Sequence, residues 1–240
     1  TVGDIGRQLA VVEKQDSAMT RRTYLLTQFN VLRTYMRLLV IPVGQSIDYD
    51  YPLQTGWDAK TVASLGGLVG LLGVTIYSLV ARPTRPGLVG LRGQALMGLG
   101  IWWFFITLAP TSSVIPIRDV IYEHRVYLAT AGYALLLVVV GGKFYNRYKI
   151  YKNYILASGV SLLVIYSGLT LVRNTVWASE VKLWEDAWKK GPNKDRTNKN
   201  YGFVLTQEKR FSEGIARLER AVELKPDDQD YRITLGAAYL

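Results

Sequence analysis

The chain has 240 residues, 49% of them hydrophobic, with a formal net charge of +10 and no cysteine. Without cysteine, disulfides and thiolate metal sites are excluded. A basic surplus would suggest nucleic acid in a soluble protein, but here apolar and charged residues are segregated along the chain, so membrane topology accounts for the charge and nucleic acid is not an expected partner.

The segment 1–57 reads as an external region that opens Thr1-Val2-Gly3-Asp4, with no initiator methionine and no signal-peptide pattern. Within it, Leu25, Phe29, Leu32, Met36 and Leu39 recur at helical spacing, and Arg33 and Arg37 share another face. The apolar run 38–43 is too short to span a bilayer, and Pro42 and Gly44 break it. An amphipathic helix at the membrane interface is expected, apolar face in lipid and the two arginines toward headgroups. Two roles fit it: a simple anchor, or a guide for a lipid-linked phosphate. Asp48 and Asp50 follow in Asp48-Tyr49-Asp50-Tyr51-Pro52; extended, they share a face, but nothing nearby completes a metal site.

Residues 61–81, 93–117, 126–142 and 154–172 carry no charge over 21, 25, 17 and 19 positions. A spanning helix needs about 20 apolar residues, with about 17 as the lower limit. About four transmembrane helices are expected within 58–173, near 60–81, 90–109, 126–143 and 154–173, the third being the shortest. The loop after the first span carries Arg82, Arg85 and Arg92, and the loop after the third carries Lys143, Arg147, Lys149 and Lys152. Short basic loops stay on the cytoplasmic side. That rule places 1–57, the 110–125 loop and the C-terminal region outside, in a periplasm or lumen.

The external loop between the second and third expected spans is the most chemically loaded segment. It runs from Pro110 through Ile117-Arg118-Asp119-Val120-Ile121-Tyr122-Glu123-His124-Arg125-Val126-Tyr127 and holds the chain's one histidine. If 118–127 is helical, Asp119, Glu123 and Tyr127 share one face as a supporting polar cluster, and Arg118, Tyr122 and Arg125 share the next. Ionisable groups at a membrane mouth face a partner or a water-filled cavity. The functional reading is a site for a charged headgroup, with Arg125 and His124 on phosphate. The competing reading is a salt-bridge cluster that seats the loop. A lone histidine makes no metal site.

In 174–240, Pro192 and Pro226, Ala187 and Ala221, and Gly202 and Gly236 are each 34 residues apart. That is the tetratricopeptide period, two helices per repeat with small residues at their crossing. Residues 174–191 read as a cap or half repeat with Trp177, Trp184 and Trp188, residues 195–228 as one full repeat, and Gln229 as the start of the next. Both chain ends read as cut, so a piece of a longer polypeptide is expected. The fold class is therefore all-α: polytopic membrane helices followed by tetratricopeptide repeats.

This order, with Glu123-His124-Arg125-Val126-Tyr127 after a proline-rich loop, Tyr24 to Asp48 before the spans and Trp184-Glu185-Asp186 leading into the repeats, resembles multi-spanning GT-C glycosyltransferases that carry C-terminal tetratricopeptide repeats. The eukaryotic transmembrane O-mannosyltransferases and their bacterial relatives are that branch. The resemblance implies the C-terminal portion of a transferase that uses a polyprenyl-phosphate-linked sugar, with Arg118, His124 and Arg125 as donor-phosphate ligands. The repeats would then recruit a protein acceptor, in a bacterial inner membrane or an ER-type membrane. In that superfamily the catalytic acid lies in the first external loop, and none of Asp4, Asp16, Asp48 or Asp50 matches it by position, so no catalytic residue is assigned. No resident cofactor or metal is expected; the lipid-linked sugar is a substrate. The alternative is a non-catalytic membrane-anchored scaffold whose repeats dock a partner.

Overall fold

A computed structural model of the protein describes residues 19–80, 88–113, 115–117 and 119–240, with the backbone alone over 88–92. Arg118, Arg82, Arg85 and the Arg92 side chain, all named above, lie outside the described residues. Among the described residues there are nine α-helices and no strand. They are α1 (Arg21–Val40), α2 (Ala59–Val80), α3 (Leu88–Leu108), α4 (Ala129–Arg147), α5 (Lys152–Val176), α6 (Glu180–Lys190), α7 (Asp195–Gln207), α8 (Phe211–Leu224) and α9 (Gln229–Ala238). Contacts divide the chain into two units: the segment ending at Val43 with Leu53–Gly168, and Gly44–Pro52 with Leu169–Leu240.

In the first unit, α2 is arranged inside out relative to a helix of a soluble protein. α2 starts where Asp58 accepts the Thr61 N–H at 2.7 Å. It buries Thr61, Ser64, Leu68, Thr75 and Ser78. Its valines and isoleucine point away, with Val62, Val69 and Ile76 at 55%, 57% and 62% exposure. A helix that hides small polar side chains and presents branched apolar ones is matched to lipid, where apolar surface costs nothing and polar groups seek partners inside the bundle. Asn30 on α1 supplies those partners, donating to Thr61 Oγ1 at 2.9 Å and accepting from Ser64 Oγ at 2.7 Å. α3 and α4 cross at Gly100 and Gly132, where a Cβ on Gly132 would stand 2.5 Å from the Gly100 carbonyl oxygen. Only the absence of side chains allows that approach.

Ala59–Val80 and Lys149–Val176 are long and apolar enough to cross a membrane, and Gly93–Leu108 is a shorter apolar helix. Two of the four expected spans thus meet length and apolarity together, while the third expected span falls in α4, a 19-residue helix. α5 has no buried residue, and Leu163, Val164, Leu171 and Val172 are each about two-thirds exposed. So much apolar surface would be untenable in water at about 25 cal/mol per Å2. The chain is a membrane protein.

The second unit stacks helical hairpins. Ala187 and Ala221, 34 residues apart, are both fully buried. Gly202 and Gly214 seat α7 on α8: a Cβ on Gly202 would meet the Gly214 oxygen at 2.8 Å. Gly236 repeats Gly202 in sequence, yet among the described residues nothing lies within 4 Å of its would-be Cβ. Lys209, at φ 62°, closes the α7–α8 turn.

Candidate functional site

The site is built on a stripe of α1. Tyr24, Gln28, Val31 and Tyr35 fall at the helical repeat and each is 0% exposed. They clasp the backbone of the loop between α3 and α4. The Tyr24 hydroxyl donates to the Thr111 carbonyl at 2.6 Å and Gln28 Nε2 to the Val120 carbonyl at 3.0 Å. The Tyr35 hydroxyl donates to the Tyr122 carbonyl and accepts the Tyr122 N–H, both at 2.9 Å. The leucine face named from sequence, Leu25, Phe29, Leu32, Met36 and Leu39, sits about a quarter-turn from this stripe and is half-buried. Arg33 and Arg37 lie on the opposite side, at roughly 100° per residue. Arg33 is half-buried, and the exposed Arg37 donates to the Val43 carbonyl at 2.8 Å, closing the helix end. The structure does not bring these two arginines to the loop site.

The loop is not the helix that sequence spacing offered. Val120 and Ile121 bury their side chains, Tyr122 is extended at φ −144°, ψ 134°, and only Glu123–Val126 forms a single 3-10 turn. β-Branched residues seeking burial, with their carbonyls already taken by α1, favour the extended course. The shared face of Asp119, Glu123 and Tyr127 therefore does not exist, and Tyr127 stands 78% exposed. Asp119 is drawn in differently: its Oδ2 accepts from the Tyr122 hydroxyl at 2.8 Å, and its carbonyl accepts from Arg125 Nη2 at 2.9 Å. Glu123 is half-buried and also has a partner. His124 is exposed and stacks on Tyr122 with ring centroids 5.0 Å apart, while the Arg125 guanidinium lies 5.4 Å from the same ring centre.

Arg125 has no carboxylate partner among the described residues, and its Nη1 is buried without a hydrogen bond. Gln28 Oε1 and Ser112 Oγ, in or beside the same clasp, are buried and unbonded as well. Burial pushes the Tyr24 and Tyr35 phenols above their ordinary range; the charge of Arg125 and a hydrogen bond with it pull Tyr24 back part of the way, and the Tyr122 backbone, then Arg125 in the same two ways, does so for Tyr35. A half-buried guanidinium without an anion is costly, so this geometry suits an incoming anionic group. In the same unit an open apolar cavity of about 180 Å3 is lined by Met36, Leu39, Leu71, Ile101, Phe104 and Leu136. Among the described residues, no three His, Asp or Glu side chains gather to hold a metal.

The second unit contains a charge that sequence reasoning did not place. Asp48 is 3% exposed. Lys194 Nζ donates to its Oδ1 at 2.6 Å, and Arg196 Nε and Thr197 Oγ1 each reach its Oδ2 at 3.0 Å. Arg196 Nη2 also bonds Oδ1, and Lys190 reaches the Gln45 carbonyl. Burial raises the Asp48 carboxyl, but Arg196 and Lys194 outweigh it and hold it below the usual carboxylate range. The segment Gly44–Pro52 is thereby fastened to the repeat helices. No local signal marks a contact between residues about 148 apart in sequence.

The resemblance read from sequence is borne out by known proteins. Protein O-mannosyl-transferase Tmtc3 of Drosophila melanogaster is 23% identical over 192 residues, 76% of this chain and 20% of that protein. Protein O-mannosyl-transferase TMTC1 of Mus musculus is 24% identical over 232 residues, 92% of this chain and 24% of the relative. The Homo sapiens TMTC1 is 26% identical over 208 residues, 84% and 23% respectively. The chain thus spans between a fifth and a quarter of these relatives' length. No protein-family model and no solved structure matches the chain.

Proposed function

We propose that this chain is part of a membrane glycosyltransferase of the GT-C type and that its external loop holds the phosphate of a polyprenyl-phosphate-linked sugar. The observation that carries this reading is Arg125, charged, half-buried and without a counter-ion among the described residues. Exposed His124 beside it offers a second donor, and Arg118 is added from sequence alone. The apolar cavity along α1, α2, α3 and α4 has the character an isoprenoid tail requires. The distant similarity to protein O-mannosyl-transferases supports a sugar transfer to protein. In this reading the tetratricopeptide-type repeats lie on the periplasmic or lumenal side and recruit the acceptor.

A second reading, a non-catalytic scaffold, draws on the open surface around Gly236. The test separates them. In nanodiscs, the protein should bind polyprenyl phosphate, and Arg125→Gln should weaken that binding roughly 10- to 100-fold, as expected for a lost charge-assisted hydrogen bond of about 1.5–3 kcal/mol. Equal binding by both proteins, or none by either, would leave the scaffold.

A further inference from the structure

Over residues 18–43 and 53–168 the sequence holds three carboxylates, Asp58, Asp119 and Glu123. All three lie at the end of the first unit where α1 clasps the loop. Asp119 and Glu123 belong to that loop, and Asp58 caps α2 beside Thr61, which bonds Asn30 of α1. The other end carries the opposite charge. Lys143 and Arg147 lie in the last turns of α4, Lys149 in a 3-10 turn over Lys149–Tyr151, and Lys152 opens α5. The 19 residues of α4, about 28 Å of helix, keep Glu123 and Asp119 away from these cations. That is more than three times the Debye length of about 8 Å at physiological salt. No residue of 59–118 or 124–179 is acidic, so the first unit offers the four cations no counter-ion of its own.

What the cations touch is soft or aromatic. Lys143 Nζ lies 2.7 Å from the Met97 sulfur of α3, and its Cε stands 3.6 Å from the would-be Cβ of Gly93. A thioether is a weak acceptor and does not balance an ammonium. Lys152 Nζ stands 4.8 Å from the centre of the Tyr145 ring. Beside them the exposed rings of Phe144 and Tyr148 stack 5.9 Å apart, and Ile150 and Tyr154 are 85% and 73% exposed. Lys143 and Arg147, four residues apart on one helix, also repel each other. Water hydrates cations well but leaves the rings and Ile150 at a cost. The headgroup layer of a bilayer suits both, with aromatic rings at its level and phosphates for the cations.

The geometry points to the α4–α5 turn as a docking surface for anionic phospholipid, whose headgroup phosphates Lys143, Arg147, Lys149 and Lys152 bind. The positive-inside rule needs only the number of cations; the exposed rings among them add contact area at headgroup depth. The surface is separate from the loop site around Arg125, at the far end of α4, and does not depend on the function proposed for that site.

The test places the intact protein in phosphatidylcholine vesicles that contain a trace of spin-labelled phosphatidylglycerol or spin-labelled phosphatidylcholine. Electron spin resonance then compares the fractions of each label immobilised on the protein. The wild type should favour phosphatidylglycerol about fivefold or more, since one cation near a membrane surface is worth about a factor of five. Lys149→Gln with Lys152→Gln should remove most of that preference. Lys149→Gln alone should lower it about two- to fivefold, and keeps the experiment decisive should the double variant fail to fold. Lys182→Gln in α6, an equal loss of charge outside the turn, should leave it unchanged. Equal immobilisation of the two lipids by the wild type would overturn the proposal. So would a preference that survives the double variant, or one that Lys182→Gln lowers as much as Lys149→Gln does.

Discussion

Asp48 and Arg125 are both charged side chains withdrawn from water, in different units of the chain, and their surroundings differ in one respect. Asp48 is enclosed by Lys194, Arg196 and Thr197, so that both carboxylate oxygens are occupied. Arg125 has a backbone carbonyl on one nitrogen, a tyrosine ring beside it, the Tyr24 and Tyr35 hydroxyls as neighbours, and no carboxylate partner among the described residues. A charge whose partners are all intramolecular belongs to the architecture. A charge left open is where a ligand contributes binding free energy, because the protein has already borne the desolvation cost.

Removing the closed charge should have the larger effect on folding. Asp48→Asn strands Lys194 and Arg196, and breaking a buried pair costs about 3–5 kcal/mol. Thermal unfolding and hydrogen exchange in α6 and α7 would register it; an unchanged profile there would deny the cluster its structural role. The same group sets a pH dependence. Its folded pKa is depressed below the ordinary 3.8, so its stabilisation is complete above that value and is lost as pH falls through the lower folded value. Asp186 and Asp228 are shifted in the same direction. The repeat unit should hold constant stability from neutral pH down to about 4 and weaken below it; a loss beginning near pH 6 would point to a different group.

The paired glycines of the repeats extend the contrast between closed and open places to helix packing. Gly202→Ala drives a methyl against the Gly214 oxygen and Leu218 and should destabilise by about 1–3 kcal/mol. Gly236→Ala meets nothing within 4 Å and should be neutral or stabilising by up to about 1 kcal/mol through helix propensity. Equal losses from both would mean that the Gly236 face is covered in the protein. A similarly small effect is expected at Lys209, at φ 62°, where Lys209→Gly relieves a left-handed backbone conformation. A gain of about 0.5–1 kcal/mol in denaturant unfolding is expected; no gain would show that the Lys209 side chain stabilises the turn as much as its backbone strains it.

These two charges also show how far sequence could reach. Helices of the membrane and repeat regions were legible because charge-free runs and a 34-residue period are local patterns. Arg125 and His124 were found by the density of charge around them. Their surroundings were not, since Tyr24, Gln28 and Tyr35 meet the loop across separations of 87 to 92 residues. The helical spacing of Asp119, Glu123 and Tyr127 misled because burial of Val120 and Ile121 and hydrogen bonds from α1 overrode local periodicity. Asp48 looked idle for the same reason: its partners lie at 194–197. The helical spacing of Leu25, Phe29, Leu32, Met36 and Leu39 was legible and falls in α1, but the polar stripe beside it makes the tighter contacts.

The most direct test of the account is a paired measurement of unfolding and polyprenyl-phosphate binding in Asp48→Asn and Arg125→Gln, at a temperature where both remain folded. The account predicts opposite outcomes: Asp48→Asn loses stability and keeps binding, whereas Arg125→Gln loses binding with stability changed by about 1 kcal/mol or less. An Arg125→Gln protein that unfolds readily yet binds the lipid phosphate as well as wild type would contradict it, and Arg125 would then be a structural charge like Asp48.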